Sequence, residues 1–191
     1  MPCYTRIMNH SFITVTFVTG NANKLREVRQ LAPSDINLDS HNLDLDEIQS
    51  LDLQAILTHK LHQAYGVLKT PVIVEDTSAG LASLEGLPGP FIKFFAQKLG
   101  GDALYKLSKV DHDAVTVTCL TGFYDGQRTV FGTGILRGHI VAPRGDGGFG
   151  FDIVIVPEGH DRTMAQMSAE EKNAISHRSL AFRDLFTQLQ P

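Results

Sequence analysis

The chain has 191 residues, of which 42% are hydrophobic and 20% charged, with a formal net charge of −4. Such a length buries a sizeable core without covalent staples, and the composition excludes both a disordered chain and a protein that holds nucleic-acid polymers by bulk positive charge. Any phosphate it binds must therefore be met by a local cluster of donors. Two cysteines, Cys3 and Cys119, are too few for a disulfide framework and lack C-x-x-C spacing, so a reducing, cytoplasmic setting is expected. Residues 1–11 hold no apolar run of signal-peptide length, and no later stretch approaches ~18 uninterrupted apolar residues. The expectation is a short flexible tail over residues 1–11 and a single domain over residues 12–191, with no membrane partner.

In chain order, residues 12–19 are rich in β-branched and aromatic side chains and end at Gly20, and residues 24–31 place Leu25, Val28 and Leu31 on one helical face. This reads as strand, turn, helix. A second strand is expected over residues 37–43, followed by a helix whose apolar positions Leu53, Ile56, Leu57, Leu61, Ala64 and Leu68 repeat at helical spacing until Thr70-Pro71 stops it. Residues 72–74 are short and wholly apolar, as a buried strand would be. From Asp76 to Pro90 the glycine and proline content predicts a shaped loop past that strand's carboxyl end, then helices near residues 91–99 and 102–109. Residues 114–124 and 128–136 flank Asp125-Gly126 and predict an antiparallel hairpin. Gly145 to Gly150 is a glycine-rich loop before an expected strand over residues 153–156, and Ser168-Ala169-Glu170-Glu171 has the capping-box pattern of a helix that breaks near Ser176-His177 before a last helix to Leu189. The fold class these elements predict is α/β, a mixed central sheet flanked by helices.

Three places carry chemistry. Thr19-Gly20-Asn21-Ala22-Asn23-Lys24 turns a strand into a helix, which points backbone N–H groups and the positive helix end at one spot and so suits a phosphate, although it lacks P-loop spacing and a plain structural turn is the competing reading. Glu75-Asp76-Thr77 follows a buried strand, where ligands of open α/β sheets gather, and with the acidic run Asp44-Leu45-Asp46-Glu47 it points to a hard cation such as Mg²⁺. A solvated acidic loop competes for Asp44 and Asp46. Ser176-His177-Arg178, with Lys172 one turn earlier, is a donor-rich set able to grip a carbonyl-bearing base or a phosphate, with a solvated helix face as its alternative. Gly145-x-Gly147-x-x-Gly150 matches the dinucleotide fingerprint by letter but precedes an expected strand, and His59 and His62 lack the partners of a zinc site.

Together these segments closely resemble the inosine triphosphate pyrophosphatase family, from about Ile13 to Leu189. The resemblance is carried by Phe17-Val18-Thr19-Gly20-Asn21-Ala22-Asn23-Lys24, Val74-Glu75-Asp76-Thr77, Gly86-Leu87-Pro88-Gly89-Pro90-Phe91-Ile92-Lys93, Ala142-Pro143-Arg144-Gly145, Phe149-Gly150-Phe151-Asp152 and Glu171-Lys172-Asn173-Ala174-Ile175-Ser176-His177-Arg178, and its third and fourth pieces look like the eukaryotic branch. It implies hydrolysis of non-standard purine nucleoside triphosphates (ITP, dITP, XTP) to the monophosphate and pyrophosphate, a cleft between two lobes, Mg²⁺ with Mn²⁺ as a substitute, and a homodimer. By the same resemblance Thr19, Gly20, Asn21 and Lys24 hold the triphosphate, with Lys60 and Lys93 as further contacts. Glu47 and Asp76 sit at the metal, supported by Glu75, and Asp76 or the metal activates the attacking water. Phe149 stacks on the base, while Phe151, Asp152, Lys172, Ser176, His177 and Arg178 shape the base pocket. Ser78, Phe151 and Ile153 depart from the family's usual residues without removing a proposed catalytic group. A Maf-like pyrophosphatase acting on other nucleotides and a non-catalytic nucleotide-binding module are the competing readings.

Overall fold

The structure of the protein, a computed structural model, describes residues 13–190, so the expected tail over residues 1–11 and Cys3 lie outside the described residues. Its strands are β1 (Ile13–Val18), β2 (Ile36–His41), β3 (Val72–Leu81), β4 (Pro88–Gly89), β5 (Ala114–Tyr124), β6 (Thr129–Ile140) and β7 (Ile155–Pro157). The α-helices are α1 (Ala22–Leu31), α2 (Leu53–Leu68), α3 (Ile92–Leu99), α4 (Ala103–Leu107), α5 (Ala169–Ile175) and α6 (His177–Leu189). One mixed sheet runs in the order β2-β1-β3-β5-β6-β7, with β4 added to β3. The parallel pairs β1/β2 and β1/β3 meet the antiparallel ladder β3/β5/β6 at β3.

Period-two alternation sorts the side chains of this sheet. Phe17, Ile73 and Phe123 face α1 and α6, joining Val28, Phe182 and Leu185 in one core, while Val18, Val74 and Leu120 face α2 and pack on Leu57, Leu61 and Ala64 in a second. A third core lies at the other end of the same long strands, where Ala79 and Leu81 of β3, Val115 and Val117 of β5 and Leu136 and Ile140 of β6 meet Ile92, Leu104 and Met164.

Among the differences from the sequence expectation, two bear on the site. The strand expected over residues 72–74 continues to Leu81, in unbroken register with β5 from Val72↔Tyr124 to Leu81↔Val115. Gly80, which looks like a loop residue, is a close-approach residue on that strand, since a Cβ there would overlap the Gly86 carbonyl. Likewise the strand expected from residue 153 is preceded by a 3₁₀ turn, Gly150–Ile153, and begins at Ile155.

That longer β3 creates the cleft. Its pairing to β1 ends at Phe17↔Ile73 and its pairing to β4 begins at Ala79↔Gly89, so among the described residues the stretch of β3 that carries Glu75, Asp76 and Thr77 lacks a strand partner on one side.

Candidate active site

A cavity of about 680 Å³ opens at this gap, well within the range of small-ligand sites. From the turn between β1 and α1 and the start of that helix it is lined by Thr19, Gly20, Asn21 and Lys24; from the acidic positions by Glu47, Glu75 and Asp76; and from α2 and α3 by Lys60 and Lys93. Phe149, Phe151, Asp152, His177 and Arg178 complete the lining residues anticipated from sequence. Lys172 and Ser176 stand behind the wall. Ser176 caps α6 by accepting from Ser179 N, and Lys172 reaches the site through its ion pairs.

At the turn, Asn21 caps α1, its Oδ1 accepting from the amides of Asn23 (2.9 Å) and Lys24 (3.3 Å), while its own amide donates to Thr19 Oγ1 (3.1 Å). Three amides expected to face a ligand are thus engaged locally, and the side chain of Lys24 turns to Glu75, 3.1 Å away.

Lys60, buried in the middle of α2, extends its ammonium between Glu47 Oε1 (2.8 Å) and Asp76 Oδ2 (2.6 Å), and Lys93 of α3 reaches the same Glu47 oxygen across the cavity at 2.9 Å. Burial opposes ionisation of Glu47, yet Lys60 and Lys93 together hold its carboxyl below the usual range. Asp76 Oδ1 accepts from the Thr77 amide. Two carboxylates converging on one cationic centre fit Mg²⁺, which takes one or two carboxylates and completes its shell with water and substrate phosphate. Among the described residues no group of three or more His, Cys, Asp or Glu side chains is placed to hold a metal ion by itself.

Glu75 is the most enclosed acid of the cavity. Burial would raise its proton affinity, but Arg178 and Lys24 outweigh that and hold it far below the usual carboxylate range. Arg178 donates to it through Nε (2.8 Å) and Nη2 (3.0 Å) and through Nη1 to Glu27 at 2.7 Å. Glu27 also takes Lys172 at 2.8 Å, and Lys172 reaches Asp152 at 2.6 Å. Asp152 in turn accepts from the Phe149 amide, and both cations lie against the Phe149 ring, with Lys172 Nζ at 4.7 Å and Arg178 Cζ at 5.3 Å from its centroid.

Glu27 escaped the sequence reading because a Glu on an amphipathic helix resembles a solvated face. Its spacing of three from Lys24, which puts both on one face of α1, was the available signal. His177 is 3% exposed, and its Nδ1 is buried without a hydrogen-bond partner among the described residues. Burial first and Arg178 second push its imidazole well below the ordinary value, so it is neutral at physiological pH.

Solved structures share this architecture. A Ham1 protein from Staphylococcus aureus superposes with a TM-score of 0.79 over 92% of this chain and 97% of that one at 24% identity, and a HAM1 protein from Coxiella burnetii with 0.77 over 93% and 98% at 26% identity. In sequence, the inosine triphosphate pyrophosphatase of Yarrowia lipolytica is 43% identical over 177 residues, covering 91% of this chain and 94% of that protein; that of Batrachochytrium dendrobatidis is 42% identical over 168 residues, covering 86% and 88%. The family model described as the Ham1 family matches residues 15–188, and the chain belongs to that family.

Proposed function

We propose that the protein hydrolyses non-canonical purine nucleoside triphosphates, ITP, dITP and XTP, to the nucleoside monophosphate and pyrophosphate, and so cleanses the nucleotide pool. The observation that carries this reading is the cavity's division into two chemistries. Lys24, Lys60 and Lys93 line it with Glu47 and Asp76, and so do Arg178, Phe149 and Phe151 with His177, whose neutral Nδ1 has no hydrogen-bond partner among the described residues. The first suits a triphosphate, and the second suits a base that must be read by hydrogen bonds.

Glu47 and Asp76 would hold Mg²⁺, for which Mn²⁺ would substitute. When bound, the metal neutralises charge that builds on the departing pyrophosphate. Lys24, Lys60 and Lys93 orient the phosphates and stabilise the same charge from the protein's side. A water attacks the α-phosphorus in line, its proton passing to the Asp76 carboxylate, and the bond from that phosphorus to the bridging oxygen breaks. Glu75, held ionised and saturated with donors, is a scaffold in this scheme and not the base.

For the base, Phe149 offers a ring for stacking. Arg178 spends three of its five N–H donors on Glu75 and Glu27, leaving one on each terminal nitrogen. These donors suit the 6-oxo acceptor of hypoxanthine or xanthine and leave adenine's 6-amino group unpaired. Discrimination built on such bonds reaches ~10⁴-fold.

The same reading takes residues 12–191 as one two-lobed domain, acting in the cytoplasm as a homodimer, for which the exposed Phe94, Phe95 and Leu99 of α3 supply an apolar face. Among the described residues no helix is long and apolar enough to cross a membrane. Pyrophosphate release from ITP, ATP, GTP and UTP, with Mg²⁺ and with a chelator, tests the assignment. Turnover of ITP over ATP only when Mg²⁺ is present is expected; equal turnover of ITP and UTP, or none of ITP, overturns it.

A further inference from the structure

The phosphate contacts and the base contacts proposed above meet on one carboxylate. Glu75 Oε1 accepts from Lys24 Nζ at 3.1 Å, Thr77 Oγ1 at 3.0 Å and Arg178 Nη2 at 3.0 Å, and its Oε2 accepts Arg178 Nε at 2.8 Å. These donors match the roughly four lone-pair sites a carboxylate offers. Lys24 belongs to the first turn of α1 and Arg178 to the start of α6, so nothing in the local sequence ties them together. Beyond Arg178 the alternation continues through Glu27 and Lys172 to Asp152, whose Oδ2 holds the Phe149 amide at 2.8 Å. The Glu75 side chain is only 1% exposed, so water cannot screen one partner from another.

We propose that Glu75 is a positioning residue that couples base recognition to phosphate chemistry, so that Lys24, assigned above to the phosphates, also sets base selectivity. The proposal rests on the function proposed above. An acceptor on the base draws on Arg178's free N–H groups and polarises the guanidinium, which alters its hold on Glu75. Because Lys24 shares Oε1 with Arg178, the change alters where and how firmly Lys24 is held. A base presenting a donor makes no such draw. Selectivity would therefore appear in kcat as well as in KM.

The test is a thermodynamic cycle of Lys24→Met, Arg178→Met and the double variant, with kcat and KM measured for ITP and ATP by pyrophosphate release, in the wild-type background and with Glu75→Gln. In the wild-type background the single losses in kcat/KM should fail to multiply by at least ~5-fold, the lower range of measured site-to-site couplings. Lys24→Met alone should narrow the ITP-to-ATP ratio in kcat by a similar factor. With Glu75→Gln the losses should multiply within ~2-fold and Lys24→Met should leave the ratio alone. Multiplicative losses in the wild-type background, or equal scaling of ITP and ATP by Lys24→Met, overturn the coupling. Those outcomes need no Glu75 variant, so they stand even if Glu75→Gln does not fold. Wild-type enzyme with no preference for ITP would instead fail the functional reading and leave nothing to couple.

Discussion

Asp76 shows how one residue's neighbours define its task. Its Oδ2 faces the Lys60 ammonium and its Oδ1 the Thr77 amide, on a stretch of β3 that pairs with β5 on one side and, among the described residues, with no strand on the other. Asp76→Asn keeps the shape and removes the charge, so it should fold, melt close to the wild type and lose ~10²-fold or more in turnover at saturating Mg²⁺; near-normal turnover would mean that the charge is not used. His177 gives a stability prediction with a definite sign. Its imidazole titrates near ~6.5 in the unfolded chain and well below that in the fold, because burial and Arg178 disfavour the charged form. Between those values the unfolded chain binds a proton that the folded one refuses, so stability falls as pH drops below ~6.5. His177→Gln removes the term, and urea unfolding at pH 7.5, 6 and 5 should give a shallower acid loss by up to ~1.4 kcal/mol per pH unit; parallel curves would place the titration elsewhere. Residue types were legible at this scale and pairings were not. Lys24, Glu75 and Arg178 stood out from local motifs, but the carboxylate they share, and Glu27 behind it, depend on contacts such as Glu75 to Arg178, 103 residues apart.

Among the elements, local signals located most helices, and non-local ones decided the rest. α2 spans Leu53–Leu68 as its apolar repeat predicts and ends at Lys69 in the left-handed region, just before Pro71. α5 opens with the capping box at Ser168 and Glu171, and α6 with Ser176. The continuation of β3 was hidden because Asp76-Thr77-Ser78-Ala79-Gly80 looks like loop composition; it becomes strand only through its ladder with β5, whose partners lie about 40 residues downstream. Glycines on β6 have a similar tertiary role. A Cβ on Gly134 would overlap the His177 carbonyl oxygen and the Ala181 amide, both backbone atoms of α6 that cannot rotate away. Gly134→Ala should therefore cost ~1–3 kcal/mol in urea unfolding and, by lifting the start of α6, narrow the ITP-to-ATP ratio in kcat/KM. Gly66 provides the contrast: it lies inside α2 with nothing within 4 Å of an added Cβ, so Gly66→Ala should stabilise by ~0.4–1 kcal/mol and leave selectivity unchanged. Equal behaviour of the two variants would remove Gly134 from the positioning of His177.

For the whole molecule, the net charge of −4 foretold only that phosphate affinity must be local, and Lys24, Lys60 and Lys93, which line one cavity, are the residues proposed to supply it. How the two ends of the fold are joined could not be read from composition, since it depends on strand length. β3 passes from Ile73 and Val74 in the cores beside α6 and α2 to Ala79 and Leu81 in the distant core, and β5 and β6 make the same passage. Unfolding one end alone would strip hydrogen bonds and apolar cover from strands the other end still needs, so we predict one cooperative transition for residues 13–190. Leu104 lies wholly buried in the distant core and Leu185 wholly buried against the opposite end. Replacing either by alanine should cost ~2–5 kcal/mol, and because the ends unfold together each should lower the protection of amides near both Ile140 and Leu185 by the same free energy in native-state hydrogen exchange. If Leu104→Ala weakened only the amides of its own core while those of α6 kept wild-type protection, the ends would be separate folding units and the single-domain reading would fall.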